Sequence, residues 1–105
     1  MLSNTVPRRL LKGITVGSLW MYVLAVLARR PSYPYEARKM IREEFGFEPP
    51  IVTLYTTFYR LEREGLIKKV EGHYMVSEKG WEVLTDAIRL LRDLANKFEK
   101  LATKD

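Results

Sequence analysis

The stretch from Ile51 to Gly80 constrains the fold more than any other part of the chain. Leu54, Phe58 and Leu61 recur at helical spacing, so one face of a predicted helix is apolar. Gly65 is placed to end that helix. The opposite side carries short hydroxyl groups and a cation that can form hydrogen bonds outward, from Thr53, Thr56, Thr57 and Arg60.

A short hairpin is predicted directly after this helix. The run Leu66–Val70 is followed by the turn pair Glu71-Gly72 and then by a second run, His73–Val76. A helix with a hydrogen-bonding outer face, followed at once by a small basic hairpin, is typical of the recognition helix and wing of a winged helix-turn-helix. The pattern makes nucleic-acid binding the leading hypothesis for the chain.

The basic charge of the chain is concentrated near its N-terminus. The formal net charge is +5, and residues 1–30 carry basic side chains but no acidic one. This asymmetry suits a polyanionic partner, although thermostable cytosolic proteins can also be basic without binding one. Arg8, Arg9 and Lys12 are therefore candidates for attraction to phosphate groups. The hairpin residues Lys68 and Lys69 either contact phosphate or act as solubilising charges on an edge strand.

The sequence gives little support for catalysis. It has one histidine, no cysteine, no glycine-rich phosphate loop and no metal-spaced cluster. The lack of cysteine excludes disulfides and thiolate metal sites, and it fits a reducing compartment. His73 falls in the predicted wing turn, where a solvated residue is the simpler interpretation. We expect no enzymatic activity, no cofactor and a cytoplasmic location.

Two further helices are predicted before Ile51. The apolar run from Leu19 to Ala28 predicts a buried helix with Ser18 as its N-cap, and this run is too short to span a bilayer. We therefore expect no membrane partner. A second helix is predicted to begin at Pro34 and to end at Gly46. Its expected inward residues are Tyr35, Ala37, Met40, Ile41 and Phe45.

A long helix from about Glu78 to Ala102 is predicted to close the chain, with Ser77 as its N-cap. A helix of about 25 residues is roughly 37 Å long, which is more than a small globular part needs. Its apolar stripe either forms a coiled-coil-type dimer contact or folds back on the first helix of the same chain. Both can hold, with the first half packing within the protomer. We expect a homodimer through Leu84, Ile88, Leu91, Ala95 and Phe98.

From about Gly17 to Leu94 the chain resembles the PadR family of winged-helix transcriptional regulators. The most specific likeness is Thr53-Leu54-Tyr55 followed by Arg60-Leu61-Glu62-Arg63-Glu64-Gly65-Leu66-Ile67. The segment Gly17–Leu27 is similar to the first helix of the family, and His73–Gly80 looks like its closing strand and the start of its last helix.

The resemblance implies a dimeric DNA binder with three helices, a wing and a C-terminal dimerisation helix. It implies that Thr53 and Tyr55 contact the DNA backbone, and that the protein represses an operator, with release by a small molecule in some members. The resemblance carries over no effector-binding residue. Trp20 and Trp81 are candidates to line an apolar dimer pocket, but a tryptophan on a core face is first of all a core residue. Pro34 replaces the usual glycine, Ile51-Val52 replaces the usual small residues, and the wing turn has only two residues.

These observations predict a mainly α winged helix-turn-helix with a two-stranded wing. Residues 1–16 form an N-terminal arm, residues 17–77 the DNA-binding domain and residues 78–105 the dimerisation helix. The expected partners are double-stranded DNA, a second copy of the chain and, in the effector-released case, a small molecule. Two alternatives stay open: a sequence-indifferent chromatin or accessory protein, and a winged-helix adaptor that binds protein.

Overall fold

The computed structural model describes residues 5–103, so residues 1–4 of the predicted arm and the last two residues of the predicted dimerisation helix lie outside the described part. This part contains five α-helices and one antiparallel hairpin. In chain order the elements are α1 (Arg8–Ile14), α2 (Leu19–Arg29), α3 (Pro34–Phe45), α4 (Ile51–Arg63), β1 (Ile67–Val70), β2 (His73–Val76) and α5 (Glu78–Ala102). A 3₁₀ turn, Val16–Ser18, joins α1 to α2.

The core is built around α2, whose apolar side chains face several neighbouring elements. The predicted burial of this helix is confirmed by five of its apolar residues: Leu19, Val23, Leu24, Val26 and Leu27. The inner faces of α3 and α4 pack against them with Ala37, Met40, Ile41, Leu54, Phe58 and Leu61.

The prediction that Tyr35 faces inward on α3 is wrong, because its side chain is 70% exposed. It lies two residues before Ala37, and two residues along a helix correspond to nearly opposite sides. The apolar ring of Tyr35 suggested burial, but the helical phase set by Ala37 and Ile41 turns it outward.

The ends of α3 form as the sequence predicts. Pro34 occupies the first turn, and the Glu36 carboxylate accepts a hydrogen bond from the Tyr33 backbone N–H at 2.8 Å. Gly46 ends the helix in the left-handed conformation, with φ of 80°.

Ser18 does not cap α2 through its side chain, contrary to our prediction. The 3₁₀ turn runs directly into the helix, and the Ser18 hydroxyl instead donates to the Gly13 carbonyl at 3.2 Å. The capping prediction is confirmed for α5, where Ser77 Oγ accepts from the Gly80 N–H at 3.0 Å.

The segment Arg8–Arg29 is long and apolar enough, by length and composition, to cross a membrane. It is longer than the apolar run from Leu19 to Ala28 because α1 extends it toward the N-terminus. The segment is not one regular α-helix, since Thr15 and the 3₁₀ turn interrupt it. A core helix satisfies the same length and composition criteria, and α2 supplies the centre of this core.

The wing is a tight hairpin that is anchored to the start of α3. Its register pairs Ile67 with Val76 and Val70 with His73. Glu71 and Gly72 form the turn with positive φ values of 51° and 87°, as a two-residue type I′ turn requires. Ser32 pairs with Tyr74 through two backbone hydrogen bonds of 3.0 and 2.9 Å, so the loop before α3 extends the sheet.

Helix α5 begins inside the fold and then leaves it. Gly80 and Leu84 are buried, whereas every described residue from Ile88 onward is exposed. The described part is elongated, with principal extents of 56 × 26 × 20 Å. The bounds of α5 agree with the prediction, and its first two turns pack within the protomer as one of the alternatives proposed.

Candidate nucleic-acid interface

Helix α4 presents one outer face opposite the core. Leu54, Phe58 and Leu61 hold its inner face in place. Residues at positions i, i+4, i+7 and i+11 share one face of a helix. On α4 these are Val52, Thr56, Tyr59 and Arg63, all exposed.

The orientation of α4 is fixed by the connection that precedes it. Arg38 Nε of α3 donates to the Pro49 carbonyl at 2.8 Å. The guanidinium groups of Arg38 and Arg42 lie 3.7 and 3.5 Å from Glu48 Oε2. These contacts, together with the stiff Pro49-Pro50 pair, set the angle at which α4 leaves α3.

Two threonine hydroxyls on α4 bond to the helix itself. Thr56 Oγ1 donates to the Val52 carbonyl at 2.9 Å, and Thr57 Oγ1 donates to the Thr53 carbonyl at 2.8 Å. We expected both hydroxyls to bond outward. In this conformation each hydroxyl proton is used within the helix, and the oxygen can only accept a further hydrogen bond from outside.

The other predicted residues of α4 lie on its flanks or outer side. Thr53 is half-buried and Tyr55 is exposed, on opposite flanks of the outer face. Thr57 is half-buried and lines a cavity of about 360 Å³ together with Trp20 and Arg60. Thr57 therefore faces α2 more than it faces outward, while Arg60 is exposed.

The wing carries two lysines on β1, the strand that follows α4, and they lie on opposite faces of the hairpin. Lys68 and Lys69 are both exposed. The Lys69 ammonium lies 5.5 Å from the centre of the Tyr74 ring, a cation–π arrangement. The His73 ring stacks on Tyr33 with centroids 4.1 Å apart, so the wing tip is tied to the N-terminus of α3.

The cations of the N-terminal arm are on a short helix attached to α2. Arg8, Arg9 and Lys12 are exposed on α1. The Tyr22 hydroxyl donates to the Ile14 carbonyl and thereby links the end of α1 to α2. Burial raises the pKa of Tyr22 above its ordinary value of 10.0, which favours the neutral, donating form.

The residues predicted for dimerisation divide into two groups. Leu84 is only 7% exposed, because it packs in the core of its own protomer, so it offers little surface to a partner. The remaining four form an exposed stripe along α5: Ile88, Leu91, Ala95 and Phe98.

A large apolar cavity lies between α2 and α5. Its volume is about 680 Å³, and its lining includes Met21, Tyr22, Phe45, Ile88 and Leu91. Neither Trp20 nor Trp81 lines this cavity, and neither is buried in the core, which was the first interpretation for both. Trp20 lies at the smaller cavity beside α4, and Trp81 lies on the exposed side of α5.

Val52 is a prominent surface residue that is absent from the predicted set. Its side chain is 74% exposed, at the N-terminal end of the α4 outer face. The helical phase of Leu54, Phe58 and Leu61 already implies this position, but valine lacks the hydrogen-bonding groups that identified the other α4 candidates. Within residues 5–103, no group of three or more His, Cys, Asp or Glu residues could hold a metal ion.

Comparison with known proteins identifies a family and a fold. A family model described as the transcriptional regulator PadR-like family matches residues 23–86, which is more than half of the chain. No curated protein matches the sequence.

Several solved structures share the fold over nearly their whole length. A PadR family transcriptional regulator from Eggerthella lenta has a TM-score of 0.77 at 26% identity, over 92% of each chain. A transcriptional regulator from Clostridium thermocellum has a TM-score of 0.74 at 22% identity, over 94% of this chain and 100% of that one. A PadR-like transcription factor from Bacteroides fragilis has a TM-score of 0.72 at 18% identity, over 90% and 99%. At these low identities, the similarity to the Clostridium thermocellum and Bacteroides fragilis proteins shows a shared fold only.

Proposed function

The chain belongs to the PadR-like family of DNA-binding transcriptional regulators, and from this premise we propose that it represses transcription as a homodimer bound to a two-fold symmetric operator. Helix α4 is the element that enters the major groove of each half-site. The outer face of α4, the exposed stripe of α5 and the basic side chains of α1 and the wing support this assignment.

The outer face of α4 is the observation that carries the proposal. It is exposed along the full helix, while the opposite face is anchored in the core by Leu54, Phe58 and Leu61. A helix held in this way can enter a groove about 12 Å wide without rearranging the fold. Exposed Tyr55 and Tyr59 lie one turn apart on the same side of α4, where both can donate hydrogen bonds to phosphate oxygens.

The exposed stripe of α5 supports a homodimer. A stripe of apolar side chains that residues 5–103 of the protomer leave uncovered is typical of an oligomer contact. Phe98 is 66% exposed, and Ile88 and Leu91 border the apolar cavity between α2 and α5. The second copy would lay its own α5 stripe across this region, and a two-fold protein would match a two-fold DNA site.

Exposed positive charge supports attraction to DNA phosphates, and the volume of the apolar cavity supports binding of an effector. Arg8, Arg9 and Lys12 would add salt-dependent attraction to phosphate, with Lys68 and Lys69 contributing from the wing. Whatever part of the 680 Å³ cavity the partner leaves open could receive an apolar effector that alters the dimer and releases DNA. Such a regulator would act in the cytoplasm.

Selection from a random duplex library at two salt concentrations tests the proposal. We expect recovery of a palindrome whose half-sites lie about one helical turn apart. Recovery of unselective, salt-sensitive binding would favour an accessory DNA-binding protein instead. The absence of binding at both salt concentrations would favour a protein-binding adaptor.

A pair of arginine variants tests whether α4 contacts the selected duplex. Arg60→Ala should weaken binding to the selected duplex, because Arg60 is exposed on α4. Arg89→Ala is the matched control, since Arg89 is on α5 and pairs with Asp86 at 3.2 Å. Equal loss in both variants would contradict a role for α4 in the groove.

A further inference from the structure

The outer face of α4 has an apolar N-terminal end, which is unusual for a surface that meets a polyanion. Val52 is the most exposed apolar residue of the helix, at 74%. Thr56 lies one turn after Val52 on the same face. Ile51, which precedes Val52 in the chain, is also exposed. Phosphate contacts give no role to the valine side chain, because it can neither donate nor accept a hydrogen bond.

The conformation of Thr56 adds to this apolar character. Its hydroxyl donates to the Val52 carbonyl at 2.9 Å, toward the preceding turn of the helix. The hydroxyl proton is therefore not free to bond a base or a phosphate. What Thr56 can offer outward is its methyl group and one weak acceptor oxygen.

The major groove contains one apolar group on its base edges, the C5-methyl of thymine. We propose that Val52 and Thr56 read thymine through this methyl group, and that each half-site therefore contains at least one thymine contacted by α4. This inference rests on the proposed function, since it requires α4 to lie in the major groove.

The spacing of the two residues suits this readout. Side chains four residues apart on one helix face are separated by about 6 Å. Base pairs along one strand are separated by about 3.4 Å. Val52 and Thr56 can thus contact methyl groups within two or three neighbouring base pairs, while Arg63 continues the same face toward more polar targets.

Replacement of thymine by deoxyuridine tests the inference on a selected duplex. Deoxyuridine lacks only the methyl group and keeps the pairing edge and the groove hydrogen-bonding groups. We expect at least one position per half-site where the substitution weakens binding about fourfold, the loss expected for one buried methyl group. The Val52→Ala or Thr56→Ser variant should bind the thymine and deoxyuridine duplexes with nearly equal affinity at the position that it contacts.

Two variants of Thr56 separate the methyl group from the hydroxyl. Thr56→Ser keeps the hydroxyl and its bond to the backbone but removes the methyl group. Thr56→Val keeps the methyl group and removes the hydroxyl. At the position that Thr56 contacts, Thr56→Val should keep the preference for thymine over deoxyuridine, and Thr56→Ser should lose it. Both changes are on the exposed face, and helix content measured by circular dichroism checks that the fold is retained.

The outcomes distinguish this inference from the proposed function. A duplex that is bound specifically but tolerates deoxyuridine at every thymine, or a selected site without a fixed thymine, would overturn the methyl readout and leave the regulator intact. Preference lost in Thr56→Val and kept in Thr56→Ser would assign the readout to the hydroxyl and overturn the inference. Failure to select any duplex would overturn the proposed function, and the inference with it.

Discussion

Replacement of Gly80 by alanine should destabilise the protein strongly, although alanine favours helices. Gly80 lies in the first turn of α5, where it packs against the end of the loop after α4. A Cβ atom at this position would lie 2.0 Å from the Leu66 carbonyl oxygen and 2.8 Å from Val76 Cγ1. The first distance is more than 1 Å short of the 3.4 Å at which ordinary contact begins.

The backbone has to move, because a carbonyl oxygen cannot rotate away as a side chain can. The same Leu66 oxygen accepts a hydrogen bond from the Ser77 N–H at 3.0 Å, so displacement of α5 also disturbs its N-cap. Overpacking costs about 1–3 kcal/mol, and a lost N-cap costs about 1 kcal/mol. Better helix propensity offsets up to about 1 kcal/mol of this. We expect a net loss of about 2 kcal/mol in the free energy of unfolding.

Urea unfolding followed by circular dichroism measures this loss, with wild type and variant compared at the same protein concentration because the proposed dimer would stabilise the folded state. Gly13→Ala is the matched control. Gly13 is also helical, but nothing lies within 4 Å of its added Cβ, so the change should be neutral or stabilising by up to about 1 kcal/mol. A Gly80→Ala protein as stable as the Gly13→Ala protein would refute the reasoning.

Three further predictions concern association, DNA contact and pH. Leu91→Glu with Phe98→Glu should produce monomers in sedimentation experiments, because charges would replace exposed apolar contacts; an intact dimer would exclude this stripe as the interface. Thr53→Ala with Tyr55→Phe should weaken binding to all duplexes by about 0.5–1.5 kcal/mol for each lost hydrogen bond, as measured by titration; loss confined to one sequence would contradict a phosphate role. The pKa of Tyr22 is raised by burial, so its stabilising contribution is constant below about pH 10 and is lost as the pH rises through the raised value. Urea midpoints between pH 8 and 11 should fall less steeply for Tyr22→Phe than for wild type, and identical slopes would contradict this.

Local signals in the sequence were sufficient for the architecture. The family and the winged-helix fold are confirmed. Pro34 and Gly46 mark the ends of one helix, and the phase of Leu19, Val23 and Leu24 marks the buried side of another. These features depend on residues within one or two turns of each other, so periodicity and capping preferences reveal them.

The features that the sequence did not reveal depend on competition between local groups or on distant contacts. Ser18 lost its predicted capping role to a 3₁₀ turn, and the hydroxyl of Thr56 bonds to its own helix. Leu84 belongs to the same helical repeat as the exposed apolar residues of α5. Only the tertiary fold determines that Leu84 is buried within the protomer and that Ile88 is exposed. The need for glycine at position 80 arises from Leu66, which belongs to another segment.

The two-residue turn of the wing makes its tip a suitable place for new sequence. Residues inserted between Glu71 and Gly72 would lengthen only the loop, and the pairing of Val70 with His73 would keep every side chain of the hairpin on its present face. A one-residue insertion within either strand would instead reverse the faces. The tip can therefore accept an added peptide while the paired strands below it stay in register. Diversification of this regulator, in nature or by design, can proceed at the wing without changing the core that orients α4.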